Sequence, residues 1–224
     1  MKGSIVIICI LMNILVQSQT KAAIHFQNGE TKHLFLRQQI LQEDESLITT
    51  ETLKSKRKKI SLEDVKYIAI YPPAGKSDSV YVMPINVHIN AKKNVKRWLT
   101  KLHQGNNISV FYGFYAKGLK RDEASVYYYE NSGVYPMHYL YVKRPSETSA
   151  TIWWSQDINL DGEIPAKQRI KFLERTAQYF SDAPKLQKEI NNGQLAPKDW
   201  KYIVYEYETE MSKNNKNSKK REVF

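Results

Sequence analysis

The chain carries one cysteine, Cys9, and it lies in an N-terminal apolar run. A single thiol excludes an internal disulfide framework and a cysteine-based zinc site. The spacings of the common catalytic motifs are missing too. There is no Gly-x-Ser-x-Gly elbow to raise a serine nucleophile above a sheet. The five histidines, His25, His33, His88, His103 and His138, form no His-x-His or His-Glu-x-x-His pair, so the sequence offers no local zinc site. Beyond the N-terminus no apolar run is long enough to span a bilayer, and no internal repeat is present. Acidic residues are in the minority: 23 Asp and Glu face 34 Lys and Arg, a formal charge of +11 over 224 residues.

What is present is aromatic and aliphatic. Hydrophobic residues make up 42% of the chain, with 15 Tyr, 7 Phe and 4 Trp, which argues against a disordered polymer. The length suits one medium domain or two small ones.

The first segment reads as an address. Lys2 precedes the apolar run Ser4–Val16, and polar Gln17, Ser18 and Gln19 follow. A positive start, a short apolar core and a small residue before a polar stretch describe a secretory signal peptide over 1–18. Cys9 sits inside the run after Val6, Ile7 and Ile8, which does not fit a lipoprotein cleavage site. Cleavage after Ser18 removes the only thiol, and the expected mature chain then has no cysteine chemistry. The expected location lies across the inner membrane: periplasmic, outer-membrane-associated or extracellular. No transmembrane helix is expected in the mature chain.

The remainder reads as strands first and helices last. Residues 19–89 predict an N-terminal β unit. Its clearest signal is Gln27-Asn28-Gly29-Glu30, a turn between two short strand patterns, because Asn-Gly tolerates positive φ. A helix is expected from Asn90 to Gly105: Val95, Trp98, Leu99 and Leu102 share one helical face, and Gly105 closes it. Its Lys92, Lys93, Lys96, Arg97 and Lys101 would fall mostly on the other faces. A Tyr-rich antiparallel meander follows to residue 164. Three helical patterns occupy 165–211, each opening near a proline: Pro165, Pro184 and Pro197. Ser212–Phe224 holds five basic residues and one acidic and is expected to be disordered. The fold class predicted is α+β, with two antiparallel β units separated by a helix and a C-terminal helical segment.

Three patterns carry candidate chemistry. Gly75-Lys76-Ser77 resembles the end of a phosphate loop. Position 70 is Ile where the motif needs Gly, and a strand pattern follows where a helix N-terminus is needed. Asp157, Asn159, Asp161 and Glu163, with Gly162 and Ile164, match the first eight positions of a calcium loop. Gln168 replaces the closing bidentate Glu, and Pro165 is unusual at the ninth position. A polar strand-to-helix connection explains the same residues, and Ca²⁺ is the cofactor the pattern leaves open. The third pattern is the aromatic crowd Tyr127–Tyr129, Tyr135, Tyr139, Tyr141, Trp153 and Trp154. It is either ordinary cross-strand packing under the C-terminal helices or an exposed platform for a sugar or a partner. The carboxylate runs Glu43–Glu45 and Asp122–Glu123 sit in expected loops and define no acid–base pair. No catalytic residue is assigned.

The order of features resembles an uncharacterised family of secreted Bacteroidota proteins. The residues that carry the resemblance are Lys59–Ile68, Trp98–Leu102 before Gly105, Val110–Tyr112 and Tyr179–Leu186, where Ala183 stands in place of a frequent Cys. The resemblance implies an envelope location and α+β organisation, and it implies no activity. The expected function is therefore an exported envelope or surface protein, non-enzymatic, with a binding or structural role. An envelope protein or glycan is the expected partner class, and nucleic acid is not expected. The alternative is a carbohydrate-binding module or hydrolase that uses the Tyr/Trp meander.

Overall fold

A computed structural model describes residues 20–37, 40–52, 54–71, 79–90, 93–115, 119–121, 127–129, 137–156 and 164–221. The chain is α+β, with strands first and helices last. The early strands are β1 (Thr20–Phe26), β2 (Thr31–Leu36), β3 (Ser46–Thr50), β4 (Lys58–Ser61), β5 (Val65–Ile70), β6 (Val80–Asn90) and β7 (Lys93–Gln104). The later ones are β8 (Ser109–Tyr115), β9 (Leu119–Arg121), β10 (Tyr127–Tyr129), β11 (Met137–Lys143) and β12 (Ala150–Gln156). Helices α1 (Ala166–Tyr179), α2 (Pro184–Asn191) and α3 (Trp200–Arg221) complete it.

Ten strands form one sheet in the order β12-β11-β8-β7-β6-β5-β1-β2-β3-β4, and β9 pairs with β10 in a separate ribbon. The β1–β2 hairpin turns at Gly29, whose φ of 87° fits the Asn-Gly signal. Strands before and after β7 belong to one sheet. β6 is shared: its start pairs with β5, while Val87 and His88 pair in parallel with Ala150 and Thr151 of β12. That second pairing closes β6, β7, β8, β11 and β12 into a small barrel.

The helix expected between residues 90 and 105 is instead β7, hydrogen-bonded to β6 and β8. The physical reason is burial on both faces. Trp98 packs with Ala22, Ile24, Ile68 and Val82 on one side of the sheet. Leu99, next in sequence, packs with Val87, Phe111 and Tyr141 inside the barrel. A strand buried on both faces places apolar residues side by side, and that pattern imitates a helical stripe. The basic residues expected on one helical surface are consequently split. Lys96 pairs with Glu63, while Arg97 and Lys101 alternate onto the opposite side.

Gly105 has a different role from helix termination. It lies in the β7–β8 turn, where a Cβ would overlap Glu208 Oε1. The missing side chain lets the Glu208 carboxylate reach the turn. It accepts the backbone N–H of Asn107 at 3.0 Å and of Ile108 at 2.9 Å, and the Asn107 amide at 2.7 Å. These charge-assisted bonds tie the barrel to α3.

The three helices cover the outer wall of the barrel. Trp153 and Trp154 both point to them, because a bulge lets two successive residues of β12 stand opposite β11 between Leu140 and Tyr141. Phe172, Phe180, Leu186, Ile190, Ile203 and Tyr207 pack against this wall. Glu210 accepts the N–H groups of Lys185 and Leu186 at 3.0 and 3.1 Å. Its charge thereby meets the positive end of α2. Arg144 fixes the β11–β12 turn to the helices through Tyr207 Oη at 3.1 Å, Tyr179 O at 2.5 Å and Asp182 Oδ1 at 2.8 Å. The tail expected to be disordered from Ser212 continues α3 to Arg221. Among the described residues no helix is long and apolar enough to cross a membrane.

Candidate functional site

The sheet has two sides, and following one of them across the strands locates the site. Alternation places Tyr81, Met83, Ile85 and Val87 of β6 on one side, with Leu99 and Lys101 of β7 and Phe111 of β8. Over the closed strands this side is the barrel interior, where Val87, Leu99, Phe111, Tyr141 and Ala150 are buried together. Over β5, β1 and β2 the same side is open. There it carries Tyr67 and Ala69, then Lys21, Ala23 and His25, then Thr31, His33 and Phe35. Tyr71 follows β5 and is held beside Lys21 by a 3.1 Å backbone bond.

The open side is floored by Ala23 and Ala69, which pair across β1 and β5. Both are buried although they face outward, because the surrounding rings cover them. His25 stacks on Tyr67 with centroids 4.1 Å apart and planes 19° apart. Tyr67 leans on Tyr81 at 6.2 Å, and His33 lies parallel to Tyr71 at 6.2 Å. Rings stacked on cross-strand neighbours stand upright from the sheet, so their edges and polar tips reach outward. Tyr71 and Tyr81 are each 38% exposed. Thr31 Oγ1 contacts His25 Nδ1 at 2.9 Å, and Tyr71 Oη contacts His33 Nδ1 at 3.3 Å.

Two lysines frame these rings. Lys101 Nζ lies 4.8 Å from the centroid of Tyr81, and Lys21 Nζ lies 5.9 Å from that of Phe35. Cation–π contact holds a lysine along a ring without neutralising it. No Asp or Glu occupies a strand position on this side from β2 through β1 and β5 to β7.

Where the open side meets the barrel, β7 and β8 part and Gln42 fills the gap. Its N–H donates to Phe114 O at 3.3 Å and its C=O accepts from Trp98 N at 3.1 Å. Its side chain enters the barrel, where Oε1 accepts from Tyr141 Oη at 2.9 Å. A Cβ at Gly113 would overlap that oxygen. Burial pushes the Tyr141 hydroxyl far above the ordinary tyrosine range, so it stays a donor. Burial also raises the neighbouring Glu43 carboxyl, against the lowering effect of Arg97.

A second concavity, of about 310 Å³, lies at the far end of β12. Trp154, Gln156, Gln168, Lys171 and Arg175 are among its walls, and its charged groups are cationic. On the barrel wall His138 accepts or donates at 2.6 Å with Tyr112 Oη, and burial lowers its pKa.

The sequence candidates fare unevenly. Asp157, Asn159, Asp161 and Glu163 lie outside the described residues, as do Gly75, Lys76, Ser77 and the expected signal segment 1–18. Among the described residues no group of three or more His, Asp, Glu or Cys is arranged to hold a metal. Trp153 and Trp154, expected as either packing or platform, are 2% and 4% exposed beneath the helices. Tyr141 is inside the barrel, with Tyr139 stacked on it at 5.9 Å. Tyr127–Tyr129 pair with Leu119–Arg121, and Tyr135 lies outside the described residues. The exposed aromatic side is on the N-terminal strands, which the sequence reading did not single out. Its signal was present: Lys21-x-Ala23-x-His25 and Tyr67-x-Ala69-x-Tyr71 alternate with buried Ala22, Ile24 and Ile68 and half-buried Ile70.

No protein-family model matches the chain, and no curated protein and no solved structure matches it.

Proposed function

We propose that this is an exported, non-enzymatic envelope or surface protein that binds a partner through the open side of its N-terminal sheet. The family kinship inferred from Lys59–Ile68 and Tyr179–Leu186, and the signal-like segment 1–18, belong to the same proposal. The observation that carries it is the contrast in burial along one side of one sheet. The barrel half buries Phe111 and Tyr141 on this side, while β2, β6 and the end of β5 leave His33, Tyr81 and Tyr71 exposed. A cluster of exposed aromatic residues beside lysines that form no ion pair among the described residues is a common composition for a recognition surface. Folding alone gives little reason to keep it, because exposed rings gain little from burial.

The test is co-sedimentation of the processed chain with envelopes isolated from its own cells. Binding is expected, with at least about tenfold weaker retention for a Tyr67→Ala, Tyr81→Ala double variant. Equal retention of the variant, or none of the parent chain, removes this reading.

A further inference from the structure

Resting on that reading, we infer that the open side of β1, β2, β5, β6 and β7 binds an acidic polysaccharide. The first argument is charge. Lys21 and Lys101 sit on this side, each against a ring, and the strand register places no carboxylate there. Neither lysine forms an ion pair among the described residues, so an approaching anion has none of these to break first.

The second argument is span. β1 and β7 are separated by β5 and β6 in the sheet. At the usual strand spacing the strands that carry Lys21 and Lys101 are about 14 Å apart along the sheet. A single small anion cannot reach both, whereas a polymer with charges along its length can. The third argument is the attitude of the rings. His25 and Tyr67 are stacked on each other, so little ring face is left for a nucleic-acid base. What stands outward is phenol hydroxyl and imidazole edge. These hydrogen-bond sugar hydroxyls, whereas a lipid surface calls for apolar wedges such as Leu or Trp.

The site therefore combines two kinds of contact. Lys21 and Lys101 answer the polymer's carboxylates or sulfates, and Tyr67, Tyr71, Tyr81, His25 and His33 answer its hydroxyls. Affinity should fall as salt rises, because exposed ion pairs are screened.

The test is titration calorimetry of the processed chain with polygalacturonate, heparin and methyl-esterified polygalacturonate, with envelope co-sedimentation run on the same samples. Binding to at least one acidic polymer is expected, and at least about tenfold weaker binding after esterification. A Lys21→Ala, Lys101→Ala double variant should lose at least about tenfold in affinity while its melting temperature is kept. The inference is overturned if neither acidic polymer binds, if the esterified polymer binds as well, or if the lysine variant is unaffected. Selective binding to vesicles with anionic lipid, or to a single-stranded oligonucleotide, likewise overturns it. Envelope retention that still depends on Tyr67 and Tyr81, without polymer binding, sinks this inference alone. Loss of that dependence sinks the broader binding reading.

Discussion

Tyr141 and Tyr81 stand on the same side of the same sheet, and their surroundings are opposite. Tyr141 is enclosed by the barrel and hydrogen-bonded to Gln42. Tyr81 is exposed, with Lys101 along its ring. The difference comes from closure. In the later half of the sheet, β12 returns to β6 and turns one side into an interior. In the earlier half the sheet uses its other side for a core, where Ile24, Leu47, Val65, Ile68 and Trp98 pack, and leaves the first side open. Identical residue types are thus buried in one half and exposed in the other.

Substitutions in the covered half should break this contrast most severely. Trp153→Ala removes a ring packed against Phe172 and Phe180 and leaves Thr176 Oγ1 without its indole donor. A loss of about 3–5 kcal/mol is expected in denaturant unfolding. Glu208→Ala strips acceptors from the N–H groups of Asn107 and Ile108 and should cost about 3 kcal/mol by the same measurement. Gln42→Ala, at the boundary, leaves the Tyr141 hydroxyl buried without its acceptor and should cost about 1–3 kcal/mol.

Acidification supplies a subtler probe of the barrel wall. Burial lowers the His138 pKa in the folded chain, so folding favours the neutral ring. Stability from this residue is complete above the unfolded histidine value of about 6.5 and declines as pH falls through the folded value. A His138→Gln variant should show a flatter dependence of melting temperature on pH below that value. On the open side the expected effect on stability is smallest: Lys101→Ala should shift unfolding by no more than about 0.5 kcal/mol. A large loss there would show that this side is structural, and the contrast between the halves would disappear.

The sequence made the strand-rich beginning, the Asn-Gly turn and the three late helices legible. Each depends on local rules: positive φ at Gly29, proline near a helix start, and one apolar stripe per helix. It could not show β7 correctly, because Trp98 and Leu99 enter different cores and only the three-dimensional arrangement separates them. The candidate site was hidden for a related reason. Tyr67, Tyr81 and Lys101 belong to three strands, and their neighbourhood depends on the pairings β5–β6 and β6–β7. The Trp153–Trp154 pair was legible as aromatic, but its burial required the bulge in β12 that turns both rings to the helices.

The pairing of Val87 with Ala150 also dictates an order of assembly. β1 to β7 supply the first core, with Val82 and Trp98 among its residues, whereas the barrel waits for a strand encoded late in the chain. Until β12 arrives, the second half of β6 is a bare edge and the barrel interior faces solvent, a form prone to pairing with the wrong chain. Long-range closure of this kind slows folding. In a chain delivered from its N-terminus, the open side would be formed before the barrel beside it is sealed.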